Sequence, residues 1–344
     1  MGWLRGDCVG RGSFATVNLA VCSQFTTPTV VKSSDVFSSS SLKNEKQVLD
    51  RLGLCPEIIR CFGDDYTTEN GEDFYNLFLE YASGGTLFDQ LKNHGGRLPE
   101  SDVRRYIRSI IRGLAYIHDK GFVHCDIKLQ NILVLGNGDV KIADFGLAKR
   151  TEEKQSMCEC RGTPLSMSPE SVNDNEYEPP ADVWALGCAV VEMVTGKPAW
   201  NVKEGSNIFS LMLRIGLGDE LPEVPNELSE AGKDFLSKCF VKDPRKRWTA
   251  EMLLKHPFVA DNTLSSKTSS PRCHFDFPDW VSAGTASVPC SPESVEWSEW
   301  KFDSVRWSNC TSPVDRLRQL VTDKKPNWSE SDSWCLVSRH QRTV

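Results

Sequence analysis

Long apolar runs are scarce in this sequence. The longest candidate, residues 181–195, has fifteen residues, whereas a membrane-spanning helix needs about 20. The first ten residues, MGWLRGDCVG, contain neither the apolar core of a secretory signal nor the Ser or Thr that an N-myristoylation pattern requires at position 6. We therefore expect a soluble protein without a membrane partner, located in the cytoplasm and/or the nucleus.

The sequence also lacks a strong excess of one charge. Forty Lys and Arg residues stand against 47 Asp and Glu residues, which gives a net charge of -7. The basic residues form no stripe of the kind that binds nucleic-acid backbones. Nucleic acid is therefore not expected among the partners.

Cysteine is present but lacks the spacings of a metal site. The thirteen cysteines include no CxxC pair and no zinc-ligand series. Because their number is odd, at least one thiol is unpaired, and we expect reduced thiols rather than a disulfide framework. Cys158 and Cys160 could alternatively form a redox pair, which would require exposed thiols of low pKa.

The apolar pattern changes along the chain. From residue 3 to about residue 80, short apolar strands alternate with turns around one helical stretch, residues 41–52. From residue 86 to 259 the spacing is mainly helical, and residues 181–195 are apolar on all sides, as in a helix buried in a large lobe. The pattern predicts an α+β fold with a small β-rich lobe and a large, mainly helical lobe.

The composition changes near residue 260. Residues 260–344 are rich in Ser, Pro and Trp and contain six of the ten tryptophans, but few aliphatic residues. Such a segment buries too little apolar surface to fold by itself, so we predict a largely disordered tail. Within it Ser270, Ser291 and Ser312 each precede a proline, which is the pattern that proline-directed kinases phosphorylate.

Two motifs in the first 45 residues suit phosphate binding. The segment from Gly10 to Val17 is glycine-rich and lies between two predicted strands, where small residues let backbone amides approach phosphates. By itself it could equally be a tight turn. Lys32 ends a β-branched strand, and Glu45 follows on the predicted helix, so the two can form an ion pair that also holds phosphates.

A third motif, HCDIKLQN at residues 124–131, is more specific. Asp126 can accept the proton of an attacking hydroxyl, and Asn131, five residues later, offers a carboxamide oxygen to a metal. Asp144 begins the triplet Asp-Phe-Gly thirteen residues after Asn131. Phosphoryl transfer needs an oriented hydroxyl, a bound metal and neutralised phosphate charge, and these side chains can supply all three.

In this order, followed by Ser168-Pro169-Glu170, the motifs resemble those of the eukaryotic protein kinase family over residues 3–259. The resemblance implies the bilobal protein kinase fold, with an N-lobe of about residues 3–80 and a C-lobe of about residues 83–259. It also implies ATP as co-substrate and Mg²⁺ as metal cofactor. The implied catalytic residues are Asp126 and Lys128, and the implied metal ligands are Asn131 and Asp144.

The same resemblance assigns the nucleotide site. Val17, Val30 and Leu133 match the positions that enclose adenine, and Glu80 to Ala82 match the hinge between the lobes. The full set of implied ATP-binding residues is Gly10, Arg11, Gly12, Ser13, Phe14, Ala15, Val17, Val30, Lys32, Glu45, Glu80, Ala82 and Leu133.

Two positions refine the assignment. Lys128, together with Thr163 in Gly-Thr-Pro, resembles the serine/threonine branch of the family rather than the tyrosine branch. Cys125 stands where many kinases have an arginine that binds a phosphate on the activation loop, so we expect at most modest activation by loop phosphorylation. Lys149, Arg150 and Arg161 are the remaining candidate partners for such a phosphate.

The sequence is further similar to the MEKK-like MAP kinase kinase kinases of plants, in YNLFLEYASGGTLFDQL, the HCDIK loop, VKIADFGLAKR and RWTAEMLLKHPF. This resemblance implies MAP kinase kinases as substrates, in stress or hormone signalling that includes abscisic acid, and a downstream MAP kinase as a feedback partner of the tail. A pseudokinase scaffold and a Ser/Thr kinase outside the MAP kinase cascade are the alternatives.

Overall fold

The first five strands form one antiparallel sheet in the order β1-β2-β3-β5-β4. The computed structural model describes residues 2–12, 15–22, 27–153, 160–201 and 207–260. The predicted tail from residue 261 onward therefore lies outside the described residues, as do Ser13, Phe14 and Cys158. The strands are β1 (Leu4–Arg11), β2 (Thr16–Val21), β3 (Thr29–Asp35), β4 (Cys61–Glu69) and β5 (Glu72–Glu80).

The sheet buries one face against α1 (Ser40–Leu52). Successive side chains of a strand point to opposite faces, so Val30 joins the main core with Leu49 of α1, whereas Val31 packs with Trp3 and Phe78 in a separate cluster. This alternation fixes the face on which Lys32 lies, because Lys32 follows Val31 and returns to the side of α1.

The large lobe is mainly helical, as the spacing predicts. Its central helix is α5 (Pro179–Thr195), of which thirteen residues are buried, so its apolar surface is used on every side. The helices of this lobe are α2 (Leu87–Asn93), α3 (Glu100–Asp119), α4 (Pro169–Asn173), α5, α6 (Ile208–Gly216), α7 (Glu230–Cys239) and α8 (Ala250–Leu254). None of the helices in the described ranges is long and apolar enough to span a membrane.

Four short strands lie where a mainly helical pattern was expected. They are β6 (Phe122–Val123), β7 (Ile132–Val134), β8 (Val140–Ile142) and β9 (Lys149–Arg150). They pair as β7 with β8 and β6 with β9. Strands of two or three residues are too short to show a period of two, and they hold the loops that carry the HCDIKLQN and Asp-Phe-Gly motifs.

A buried ion pair connects two distant parts of the large lobe. Arg247 donates to both carboxylate oxygens of Glu170, at 2.6 and 3.0 Å, and to the backbone carbonyl of Pro180 at 2.7 Å. Its guanidinium lies 5.1 Å from the ring centre of Trp184. A bidentate pair with further acceptors offsets the cost of burying both charges.

Candidate active site

Lys32 lies between two carboxylates on the inner face of the sheet. Its Nζ is 2.7 Å from Oε2 of Glu45 and 2.9 Å from Oδ1 of Asp144. Strand β3 supplies the lysine, α1 the glutamate and the segment after β8 the aspartate. The second oxygen of Glu45 accepts a hydrogen bond of 3.2 Å from the backbone N–H of Phe145. The ion pair predicted from the sequence is therefore formed, and it includes Asp144.

The charges of this cluster shift its pKa values. Burial lowers the pKa of Lys32, but Asp144 and Glu45 together outweigh this effect and raise it above the ordinary value. Burial raises the pKa of Glu45, and the adjacent ammonium of Lys32 opposes this rise. Burial also favours a higher pKa for Asp144, but the charge of Lys32 overrides it and lowers the pKa to about 2. Asp144 is thus ionised at neutral pH, as a metal ligand must be.

Asp126 is surrounded by donors. Its Oδ1 accepts from the hydroxyl of Thr163 at 2.7 Å, and its Oδ2 lies 2.9 Å from Nζ of Lys128 and 3.0 Å from Nδ2 of Asn131. Lys128 also donates to the hydroxyl of Thr163, at 3.0 Å. Asp126 is 6% exposed, so these contacts hold its carboxylate in one orientation. Thr163, which the sequence marked only for acceptor class, is part of this cluster.

Asp182 of α5 holds the backbone of the loop before Asp126 by hydrogen bonds. One carboxylate oxygen accepts from the backbone N–H of Cys125, and the other from the backbone N–H of His124 and the ring of His118, each at 2.9 Å. These bonds support a backbone that is otherwise strained, since Cys125 has a φ of 67°. Asp182 therefore braces the loop that carries Asp126.

Asn131 and Asp144 are held close by the backbone between them. The backbone N–H of Ala143 donates to the carbonyl of Asn131 at 2.9 Å. Nδ2 of Asn131 donates to Asp126, so its carboxamide oxygen is left for another partner. Half of the Asp144 side chain, 47%, is exposed. These two oxygen donors could hold a hard cation such as Mg²⁺.

The oxygen atoms of Asn131 and Asp144 suit a metal that is bound jointly by the protein and by a substrate. In the ranges that the structure describes, no group of three or more His, Cys, Asp or Glu side chains could hold a metal by itself. Mg²⁺ commonly binds through one or two protein oxygens together with the phosphates of a substrate. The residues present therefore fit a metal that arrives with a nucleotide.

Of the predicted nucleotide-binding residues, Gly10, Arg11, Val17 and Lys32 lie on the first three strands of the sheet. Gly10 pairs with Val17 across β1 and β2, and Val17 pairs with Lys32 of β3. The backbone N–H of Gly12 donates to the carbonyl of Ala15 at 2.8 Å. Arg11 ends β1. The structure thus brings Gly10, Val17 and Lys32 into neighbouring positions of one sheet.

The remaining predicted residues lie at the junction of the lobes. Val30 and Ala82 are buried, at 7% and 9% exposure, and Leu133 packs partly buried against the same core. The side chain of Glu80 is occupied: its Oε2 lies 2.7 Å from Nζ of Lys141 and accepts from the backbone N–H of Arg60. The carboxylate of Glu80 is therefore already engaged within the protein.

Asn44 is a residue of this site that the sequence did not reveal. It precedes Glu45 on α1, and its Nδ2 donates to the carbonyls of Gly146 and Ala148 at 3.1 and 2.8 Å. It thereby ties α1 to the segment after Asp144. The only signal in the sequence is its position next to Glu45.

Comparison with known proteins gives a consistent result. The model of the protein kinase domain matches residues 3–259. Mitogen-activated protein kinase kinase kinase 20 of Arabidopsis thaliana is 52% identical over 360 aligned residues, which cover 98% of this chain and 100% of the relative. Mitogen-activated protein kinase kinase kinases 18 and 17 of the same plant are each 43% identical, over 82% and 75% of this chain and 86% and 70% of their own length.

Proposed function

This chain belongs to the protein kinase family as a Ser/Thr kinase of the MAP kinase kinase kinase type, and from that premise we propose that it phosphorylates MAP kinase kinases. The observation that carries the proposal is the similarity to a MAP kinase kinase kinase over 98% of this chain and the whole of the relative. Similarity over the full length includes the surfaces that select a protein substrate, as well as the catalytic core.

We propose a residue for each step of the transfer. Asp126 is oriented by Thr163, Lys128 and Asn131, so its carboxylate is placed to accept the proton of the substrate hydroxyl. Lys128, beside it, can stabilise the negative charge that develops on the transferred group. Lys32, held by Glu45, is the cation that positions the ATP phosphates.

We propose Mg²⁺ as the metal of this site, held by the side-chain oxygens of Asn131 and Asp144. When bound, it would neutralise phosphate charge and orient ATP. ATP use and a divalent metal follow from the family, and the identity of the metal rests on the hard oxygen donors and the ionised state of Asp144.

A panel of catalytically inactive MAP kinase kinases tests the substrate proposal. Incubated with the purified chain and labelled ATP, at least one panel member should be phosphorylated, and a panel of inactive kinases from other pathways should not. Labelling of the second panel alone would place the enzyme outside the MAP kinase cascade.

The pseudokinase alternative makes a different prediction for Lys32→Met. The structure has Lys32, Glu45 and Asp144 already in contact, an arrangement that a scaffold does not need. We expect Lys32→Met to lower kcat/KM for a generic Ser/Thr peptide by about 100-fold or more. The reason is that the variant lacks the ammonium group that pairs with the negative charge of the ATP phosphates. Lys141→Met is the matched control, since Lys141 also pairs with a glutamate but faces Glu80. Equal activity of Lys32→Met and the parent would favour the scaffold.

We further propose that the enzyme acts in plant stress or hormone signalling, including abscisic acid. The support is the resemblance of its motifs to the plant MEKK-like subgroup. Kinase activity recovered from plant cells should rise after abscisic acid or osmotic treatment. An unchanged activity under both treatments would remove this part of the proposal.

A cytoplasmic and/or nuclear location is proposed as well. Seven cysteines of the described ranges are free thiols, which fits a reducing compartment; they are Cys8, Cys22, Cys55, Cys61, Cys125, Cys188 and Cys239. A fluorescent fusion of the full chain should distribute between these two compartments, and accumulation in a secretory organelle would contradict the assignment.

The tail adds one proposal of its own. Ser270, Ser291 and Ser312 each precede a proline and lie outside the described residues, and we propose them as sites for a downstream MAP kinase. After incubation with an active MAP kinase, phosphate mapping should find phosphate on at least one of these three serines. Absence of phosphate from all three would refute the proposed feedback.

A further inference from the structure

The first part of the activation segment, defined as residues 144–170, is fastened by an ion pair. Nζ of Lys149 lies 2.8 Å from Oε1 of Glu178, and the lysine side chain is 3% exposed. The same oxygen of Glu178 accepts a hydrogen bond of 3.1 Å from the backbone N–H of Glu152. One carboxylate therefore binds both a buried cation and the backbone that follows β9.

The last part of the activation segment is fastened to the same region. The backbone N–H of Arg161 donates to the hydroxyl of Tyr177 at 2.9 Å, and its Nη1 donates to the carbonyl of Leu147 at 3.0 Å. Gly162, at a φ of 92°, lies so close to the catalytic loop that a Cβ there would be 2.4 Å from the carbonyl oxygen of Cys125. The two described parts of the segment are thus joined to each other, to residues 177 and 178, and to the loop of Asp126.

In proteins that are switched by phosphorylation, an added phosphate orders such a segment by pairing with cations. Two of the cations expected from the sequence to receive a phosphate are already engaged here. Lys149 pairs with Glu178, and Arg161 binds the carbonyl of Leu147. Cys125 brings no positive charge of its own. The negative charge that pairs with Lys149 therefore comes from the carboxylate of Glu178 and not from an added phosphate.

We propose that Glu178 is a positioning residue that takes the place of an activation-segment phosphate. Its carboxylate neutralises Lys149 and holds the backbone at Glu152, so that Thr163 and Asp126 keep their contact without phosphorylation. The unphosphorylated enzyme is then fully active. This inference rests on the kinase activity of the chain and is independent of which protein substrate it uses.

The test compares the parent chain with Glu178→Gln, each before and after phosphatase treatment, on a generic Ser/Thr peptide. The parent should keep its kcat after phosphatase. Dephosphorylated Glu178→Gln should have a kcat about tenfold lower, the size of a typical coupling between sites, with the KM for ATP nearly unchanged. Glu176→Gln is the matched control. Glu176 lies two residues before Glu178 and its side chain is exposed, so the variant loses the same charge and should behave as the parent.

Two further measurements separate positioning from a general loss of structure. In Glu178→Gln the ammonium of Lys149 is released, so phosphate on the neighbouring Thr151 should restore activity, and phosphatase should remove it again. Exchange of the charges, Lys149→Glu with Glu178→Lys, should recover part of the kcat, because it restores the ion pair but not the acceptor for the backbone N–H of Glu152. Loss of parent activity on phosphatase treatment would overturn the inference. So would equal kcat in Glu178→Gln and Glu176→Gln, or failure of both restorations. A parent that is inactive in every state would instead refute the enzyme itself.

Discussion

Asp126→Asn is expected to lower kcat by a factor of about 10² to 10⁴, the usual contribution of a positioned proton acceptor. The change keeps the size of the side chain and an oxygen that can accept from Thr163, but it removes the charge that attracts the substrate proton. ATP affinity should change little, because Lys32 and Glu45 retain their contact. Steady-state kinetics and nucleotide titration measure the two quantities separately.

The matched control for this prediction is Asp139→Asn. Asp139 is exposed in the turn between β7 and β8, where it accepts from Asn137, and the substitution should leave kcat within about twofold, as a surface change far from the site. A similar loss of kcat in both variants would show that the assay reports general damage to the lobe and not the loss of a proton acceptor. An unchanged kcat in Asp126→Asn would remove Asp126 from the chemistry.

Arg247→Met is expected to destabilise the large lobe strongly. Arg247 has no exposed side-chain surface, and its removal leaves Glu170, 6% exposed, without its cation. Breaking a buried pair in this way costs about 3 to 5 kcal/mol. For a domain of this size the unfolding temperature should fall by roughly 10 °C. Differential scanning calorimetry of the parent and the variant measures the shift.

Arg245→Met serves as its control. Arg245 lies two residues away, its side chain is 88% exposed, and it pairs with Asp243. Exposed pairs contribute about 0 to 1 kcal/mol, so the unfolding temperature should hardly move. Equal shifts in the two variants would contradict the structural importance assigned to the buried pair.

The candidate catalytic residues could be identified from the sequence because the chemistry of phosphoryl transfer fixes both residue type and spacing. Asp126, Asn131 and Asp144 lie in two short motifs, and the ion pair of Lys32 with Glu45 is formed as expected. The α+β architecture with a small sheet and a large helical lobe is confirmed. So is the buried central helix α5, whose apolar surface on every side is visible in the sequence.

Other features depend on contacts between distant residues and carry no local signal. Asn44 is an ordinary polar residue on α1 until the fold places Gly146 and Ala148 beside it. Glu178 precedes α5 and meets Lys149 only when β9 pairs with β6. From the sequence, Lys149 is a candidate to bind a phosphate. Its actual partner, the carboxylate of Glu178, lies 29 residues away in the chain, so no local pattern reveals it.

Cys125 illustrates how a departure from a family pattern gains meaning from the structure. The sequence showed only that an arginine is replaced. In the fold, the backbone of Cys125 is held by Asp182, and the task of ordering the activation segment is divided between Glu178 and Arg161. The missing arginine therefore does not leave the segment without support.

The most direct test is to map phosphate on the panel of catalytically inactive MAP kinase kinases after incubation with the phosphatase-treated parent and with Asp126→Asn. We predict phosphate on Ser or Thr of the substrate's activation loop with the parent and none with the variant. Phosphate on tyrosine, the same sites with both proteins, or no phosphate with either would contradict this prediction.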